Sequence, residues 1–133
     1  MRIAVVEDDP GARAAIAEML RERHEALPFG SAEEMVEAID GGLAFDAIVT
    51  DAVLPGMSGP DLIRALDAHG LDLPAVIVTG YATSELDLDG LDVEVLTKPF
   101  PIDDLLASLQ RRAIAWSGSS ASIARDVQSP LPL

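Results

Sequence analysis

Cysteine is absent from the 133 residues, which excludes disulfides, thiolate catalysis and Cys-based zinc sites. Histidine is nearly absent: His24 and His69 are the only two, too few for a His-rich metal centre. Basic residues are scarce, with 9 Lys and Arg against 23 Asp and Glu. The resulting net charge of −14 argues against unaided binding to nucleic acid or anionic membrane, since both reward Lys and Arg. No apolar run approaches about 18 residues, so no membrane span is expected. Met1-Arg2 leads straight into a short apolar run broken by Glu7-Asp8-Asp9. No signal peptide is therefore expected, and the default location is the cytoplasm.

Hydrophobic residues, by contrast, make up 49% of the chain and are spread along it, as in one folded domain with a real core. Short β-rich runs alternate with helical patterns, the mark of a parallel α/β sheet. Ile3-Ala4-Val5-Val6 reads as a first strand, apolar on both faces. Asp9 caps a helix that begins at Pro10 and runs to about Arg23, with Ile16, Met19 and Leu20 inward. His24 to Phe29 is a weak strand suited to an edge. Ser31 and Glu34 form a capping box for a helix carrying Met35, Val36 and Ile39 inward and stopped by Gly41-Gly42.

The organising stretch is Ile48 to Gly59. A third strand, Phe45 to Thr50, carries the apolar run Ala47-Ile48-Val49 and ends at one carboxylate, Asp51, and Pro55-Gly56 then suits a type II turn. Ser58 or Gly59 caps a third helix with Leu62, Ile63 and Leu66 in the core. Pro74 to Thr79 is a continuous apolar strand. From Ala82 to Gly90 the helical signal is poor, because Asp87, Asp89 and Gly90 disfavour a helix. Val93 to Thr97 is a fifth strand, followed by Lys98-Pro99-Phe100. Pro101 opens the last helix, with Leu105 and Leu109 among its packing residues and Trp116 covering its end. The expected division is a globular domain over 1–116 and a flexible tail over 117–133, rich in Ser, Ala and Pro.

The strand ends carry the chemistry. Glu7-Asp8, Asp51, Thr79 and Lys98 each stand at the end of a predicted strand. In a parallel sheet they converge on one rim, and the order 2-1-3-4-5 makes strands one and three neighbours at the topological switch point. Three carboxylates sharing a small space call for a cation. Mg²⁺ suits one or two carboxylates with water and a phosphate oxygen, and Lys98 adds a monovalent charge.

These residues resemble the receiver domain of bacterial two-component response regulators, a flavodoxin-like, doubly wound, five-stranded parallel sheet with helices on both faces. The resemblance covers residues 1 to about 115. It rests on Val5-Val6-Glu7-Asp8 with Arg13 downstream, Asp51 with Leu54-Pro55-Gly56-Met57-Ser58-Gly59, Val78-Thr79-Gly80, and Lys98-Pro99-Phe100. It implies that Asp51 accepts a phosphoryl group from a phosphohistidine on a histidine kinase or phosphotransfer protein. Asp8 and Asp51 would bind Mg²⁺ directly, Glu7 through water, and Val53 through its backbone carbonyl. Lys98 would pair with Asp51 and then with the phosphate, Thr79 would hydrogen-bond a phosphoryl oxygen, and the Lys98-Pro99 bond would be cis. Such a chain catalyses only its own phosphorylation and dephosphorylation. It acts on a downstream protein target or passes phosphate on in a relay, with no direct contact to nucleic acid or membrane. A monomer or weak dimer is the expected assembly, and the contact surface is expected near strands four and five and the last helix.

Two departures stand out. Val95 occupies the position, three residues before the lysine, of the family's usual switch aromatic, and the fourth helix is degraded to a short or irregular one. Tyr81 is a candidate substitute switch, weighed against a partly buried packing role, and phosphorylation is expected to reshape the Gly80–Leu91 loop. Two rival readings remain open: a non-phosphorylated pseudo-receiver acting as a scaffold, and a Mg²⁺-dependent phosphohydrolase. The hydrolase is disfavoured because Val53 stands where many such enzymes carry a general acid. Arg13 reads as a surface or salt-bridge residue, and His24 and His69 as solvated.

Overall fold

The computed structural model describes residues 1–80 and 86–117, the last five as backbone only. In chain order the elements are β1 (Arg2–Val6), α1 (Pro10–Leu20), β2 (Glu25–Phe29), α2 (Ala32–Asp40), β3 (Ala47–Asp51), α3 (Gly59–Ala68), β4 (Ala75–Thr79), β5 (Glu94–Thr97) and α4 (Ile102–Ser117). The five strands form one sheet in the order β2-β1-β3-β4-β5, and every pairing is parallel. The expected architecture is therefore the observed one. Tyr81, the side chain of Trp116 and residues 118–133 lie outside the described residues. No helix among the described residues is long and apolar enough to cross a membrane.

Strand alternation divides the core in two. Ala4, Val6, Ile48, Ala75 and Ile77 pack with Met35 of α2 and Leu62, Ile63 and Leu66 of α3. Ile3, Val5, Val49, Val76 and Val78 pack on the other face with Ile16 and Leu20 of α1 and Leu105 and Leu109 of α4. Right-handed crossovers explain the split. The step from β1 to β2 runs opposite to the steps from β2 to β3 and from β3 to β4, so α1 falls on one face and α2 and α3 on the other. Covering both faces is what makes the central strands apolar throughout. Pro28 is tolerated in β2 because that strand is an edge.

Local chemistry sets most boundaries. Asp9 Oδ2 accepts from Ala12 N at 2.8 Å and caps α1, and Ser58 Oγ accepts from Asp61 N at 3.1 Å and caps α3. Two expectations need correction. Helix α1 stops at Leu20 rather than near Arg23. The chain there must turn back into β2, and His24 N closes that turn on the Leu20 carbonyl at 2.9 Å. At α2 the Ser31 hydroxyl accepts from Glu34 N as expected, but the Glu34 carboxylate accepts from Gly30 N, not from the cap residue itself. Between β4 and β5, Leu86 to Gly90 form no helix. A turn closes from Leu91 N to the Leu88 carbonyl at 2.9 Å, while Leu86, Leu88 and Leu91 pack onto the α2–α3 face.

Candidate functional site

The switch point lies between β1 and β3, and their carboxyl ends bring three acids together. Glu7, Asp8 and Asp51 each offer an oxygen within 4.8 Å of the others. They differ in burial: Glu7 is only 1% exposed, Asp51 is half-buried and Asp8 faces solvent. The cluster is thus closed behind and open in front. Asp51 sits where the parallel register with β4 ends, opposite Val78. Gly56, at φ 78°, gives the Pro55-Gly56 turn the positive φ expected of it.

Lys98, the one lysine of the chain, reaches into this cluster. Its backbone N donates to the Thr79 carbonyl at 2.7 Å, which anchors it beside the end of β4. The Lys98-Pro99 bond is cis, as the resemblance implied. Its Nζ donates to Asp51 Oδ2 at 3.2 Å and more closely to Glu7 Oε1 at 2.6 Å. The sequence led us to expect only the Asp51 pairing. Glu7 takes the shorter bond because it is buried against the sheet and has no water to replace that partner.

Burial raises the Glu7 pKa. The Lys98 hydrogen bond opposes this, and the neighbouring Asp51 reinforces it. Burial works to lower the Lys98 pKa, but its bonds to Glu7 and Asp51 win and raise it. Lys98 thus holds its proton more firmly than usual, while burial and Asp51 keep the Glu7 carboxyl above its ordinary range despite the contact. The distance decides the reading: an ammonium at 2.6 Å makes an ionic hydrogen bond, and the remaining upward push on Glu7 reflects burial and the charge of Asp51. One ammonium offsets one of three carboxylates. The uncompensated charge, the all-oxygen donor set and the open front fit a hard divalent cation such as Mg²⁺.

Thr79 ends β4 and is fully buried. Val53 is 53% exposed on the solvent side of the site, and its N–H donates to Asp51 Oδ1 at 3.4 Å. Val95 is half-buried on the α2–α3 face beside Leu86, Leu88 and Leu91. Two contributors were missed. Gly59 N donates to the Ala52 carbonyl at 2.9 Å, and a Cβ at Gly59 would run into the Asp51 carbonyl oxygen. Arg13, read as a surface residue, donates from Nη1 to the Glu7 carbonyl at 2.9 Å. A Gly directly after a helix cap was the available signal for the first; the second stood only as a position downstream of the Glu7-Asp8 motif, with no contact assigned to it.

Comparison with known proteins agrees with this geometry. The family model for the response regulator receiver domain matches residues 3–110. Transcriptional regulatory protein TcrA of Mycobacterium tuberculosis is 37% identical over 122 residues, which are 89% of this chain and 47% of that protein. Response regulator protein TrrA from Thermotoga maritima, solved in complex with Mg²⁺-BeF, superposes with a TM-score of 0.73 at 27% identity, covering 84% of this chain and 97% of that one. The receiver domain of the hybrid histidine kinase CckA gives 0.69 at 28% identity, covering 85% and 99%. The chain spans about half the length of the first curated relatives it matches. Strand order, strand-end chemistry and a family match over most of the chain converge, and the protein belongs to the response regulator receiver domain family, whose members are phosphoacceptor signalling modules rather than enzymes acting on a separate substrate.

Proposed function

We propose that Asp51 is the phosphoacceptor of a Mg²⁺-dependent phosphorelay, taking its phosphoryl group from a phosphohistidine on a histidine kinase or phosphotransfer protein. The observation that carries this reading is the shared lysine: Lys98 bonds both Asp51 and Glu7, inside a trio of acids open to solvent on one side. An Asp51 oxygen attacks phosphorus, the P–O bond forms and the P–N bond breaks. The donor imidazole leaves with the electron pair and takes up a proton. A carboxylate nucleophile has no proton to lose, so no general base is required, and positioning and charge neutralisation supply the catalysis.

Glu7, Asp8, Asp51 and the Val53 carbonyl are the residues that would hold Mg²⁺, which when bound neutralises charge gathering on the phosphoryl oxygens. Lys98 supplies the second positive charge, and Thr79, at the neighbouring strand end, is the proposed donor to a phosphoryl oxygen. The domain proper is taken as residues 1–116, acting in the cytoplasm through protein contacts. With a net charge of −14, these residues do not themselves favour nucleic acid. TcrA is named a transcriptional regulatory protein, but that chain is about twice as long.

The test is intact-mass analysis after incubation with a small-molecule phosphodonor and Mg²⁺. The expected result is one added phosphoryl group, absent without Mg²⁺ and absent in Asp51→Asn. No modification with any donor would leave the protein a scaffold instead.

A further inference from the structure

We infer that Arg13 is a positioning residue for the metal site, setting the aim of Asp8. The inference rests on the reading of the acid trio as a Mg²⁺ site. The three carboxylates are held differently. Glu7 is fixed by Lys98 and by Asp9 N, which donates to its Oε2 at 3.3 Å. Asp51 is fixed by Lys98 and by Val53 N. Among the described residues no donor holds the Asp8 carboxylate, so its direction depends on its backbone.

Besides the Asp9 N–H bond to Glu7, that backbone is held by one guanidinium. Arg13 Nη1 donates to the Glu7 carbonyl at 2.9 Å and stands 3.5 Å from the Asp8 carbonyl. These carbonyls belong to the peptide units on either side of Asp8, and its φ and ψ are the rotations between those units. Gripping both narrows where the Asp8 Cβ points. The bonds go to carbonyl oxygens, so Arg13 itself occupies no carboxylate oxygen of the trio.

The seat of Arg13 is equally specific. It rises from the first turn of α1, where its own N–H donates to the Asp9 carbonyl at 2.9 Å. Its guanidinium lies against Gly30: a Cβ there would come within 3.0 Å of Nη1 and 3.7 Å of Cζ. A side chain at position 30 would therefore push the guanidinium aside by a few tenths of an ångström, together with Glu34 Oε2 at 3.3 Å, while leaving the Arg13 charge in place. Gly30 has no positive φ, so Ala there carries no backbone strain.

Isothermal titration with Mg²⁺ tests the assignment on wild type, Arg13→Gln, Arg13→Lys and Gly30→Ala, with urea melts on each. Residues orienting metal ligands typically contribute about 10- to 100-fold in affinity. We expect a roughly 10-fold loss in Arg13→Gln, a smaller loss in Gly30→Ala, and partial rescue in Arg13→Lys. Phosphorylation of Arg13→Gln should recover at saturating Mg²⁺, a split that general destabilisation would not produce. Wild-type Mg²⁺ affinity in folded Arg13→Gln overturns the inference. If that variant does not fold, wild-type affinity in Gly30→Ala overturns it. A wild-type protein that binds no Mg²⁺ fails the metal reading itself, and the inference with it.

Discussion

Replacing Gly59 by Ala should destabilise the protein, although Ala is the better helix former. Gly59 is the first residue of α3 and lies directly over the end of β3. An added Cβ would stand inside the contact envelope of the Asp51 carbonyl oxygen, 3.1 Å from the carbonyl carbon and 3.2 Å from Ala52 Cα. All three are backbone atoms, so no side chain can swing aside. Relief needs a movement on the order of 1 Å, since comfortable contact lies at about 3.5–4.0 Å. Overpacking of this kind costs about 1–3 kcal/mol. Against it stands a gain of about 0.4–1 kcal/mol from a stiffer unfolded chain. The net expectation is a loss of about 1–2 kcal/mol, read as a lower urea midpoint at unchanged slope. Gly11 is the control. It too lies in the first turn of a helix, but a Cβ there meets only Asp9 Oδ2 at 3.5 Å, an ordinary contact, so Gly11→Ala should stabilise by about 0.5–1 kcal/mol. The strain in Gly59→Ala also falls on Asp51 itself, so its phosphorylation should slow. If both substitutions moved the midpoint in the same direction, the close approach would not be what Gly59 is there for.

Three further outcomes follow from the site and its surroundings. Lys98→Ala leaves buried Glu7 facing Asp51 with no cation, and should cost roughly 1–3 kcal/mol without metal, less than breaking a fully buried pair because Lys98 is partly exposed; urea melts with and without Mg²⁺ should show the ion restoring part of it. The raised Glu7 pKa means the folded state holds its proton more tightly than the unfolded chain, so stability from this group is full below its ordinary value of 4.5 and is lost as pH rises through the folded value. Metal-free wild type should therefore gain on Glu7→Gln as pH falls from neutrality toward 4.5, and a pH-independent gap would contradict the burial argument. Arg64 of α3 donates to the Asp87 and Asp89 carbonyls, both at 2.9 Å. Arg64→Ala should accelerate amide exchange in residues 87–91 with a global stability change of only about 1 kcal/mol, and unchanged exchange would show that apolar packing alone holds that segment.

The parts legible in the sequence are those governed by short-range rules. The apolar runs gave the central strands because a parallel strand covered on both faces has no polar face to confuse it. Asp9, Ser31 and Ser58 marked three helix starts because capping is a contact over three residues. The acids and the lysine were legible because each follows its strand directly, and a parallel sheet turns sequence position into a shared rim. The missed features all depend on distances between elements. That Lys98 bonds Glu7 more closely than Asp51 follows from how deeply β1 is buried. That Arg13 reaches back to the Glu7 carbonyl depends on where α1 lies over the strand end. The intolerance at Gly59 comes from α3 pressing on β3, and the Glu34 bond to Gly30 rather than to Ser31 from the path of the chain into α2.

The position of Val95 bears on how the site communicates. An aromatic switch needs a ring that can turn between surface and interior, and Val95 has neither the reach nor the polar tip. It lies half-buried on the α2–α3 face with Leu86, Leu88 and Leu91. That is the face to which the β4–β5 connection is tied by Arg64. Helix α3 begins in contact with the Asp51 carbonyl and carries Arg64 on its second turn, with roughly 1.5 Å of helix per residue between them. Contact is therefore continuous from the acceptor backbone through Gly59, along one helix and across two hydrogen bonds to the connection. Contiguity alone does not establish coupling; a coupled element must change population when the site changes. Residues 87–91 are where that can be measured, by comparing their exchange in wild type and Arg64→Ala with and without a phosphoryl mimic. Coupling through α3 requires the mimic to alter exchange in wild type and to lose that effect in the variant. An effect of the mimic that survives Arg64→Ala would place the route elsewhere, along β4 from Thr79.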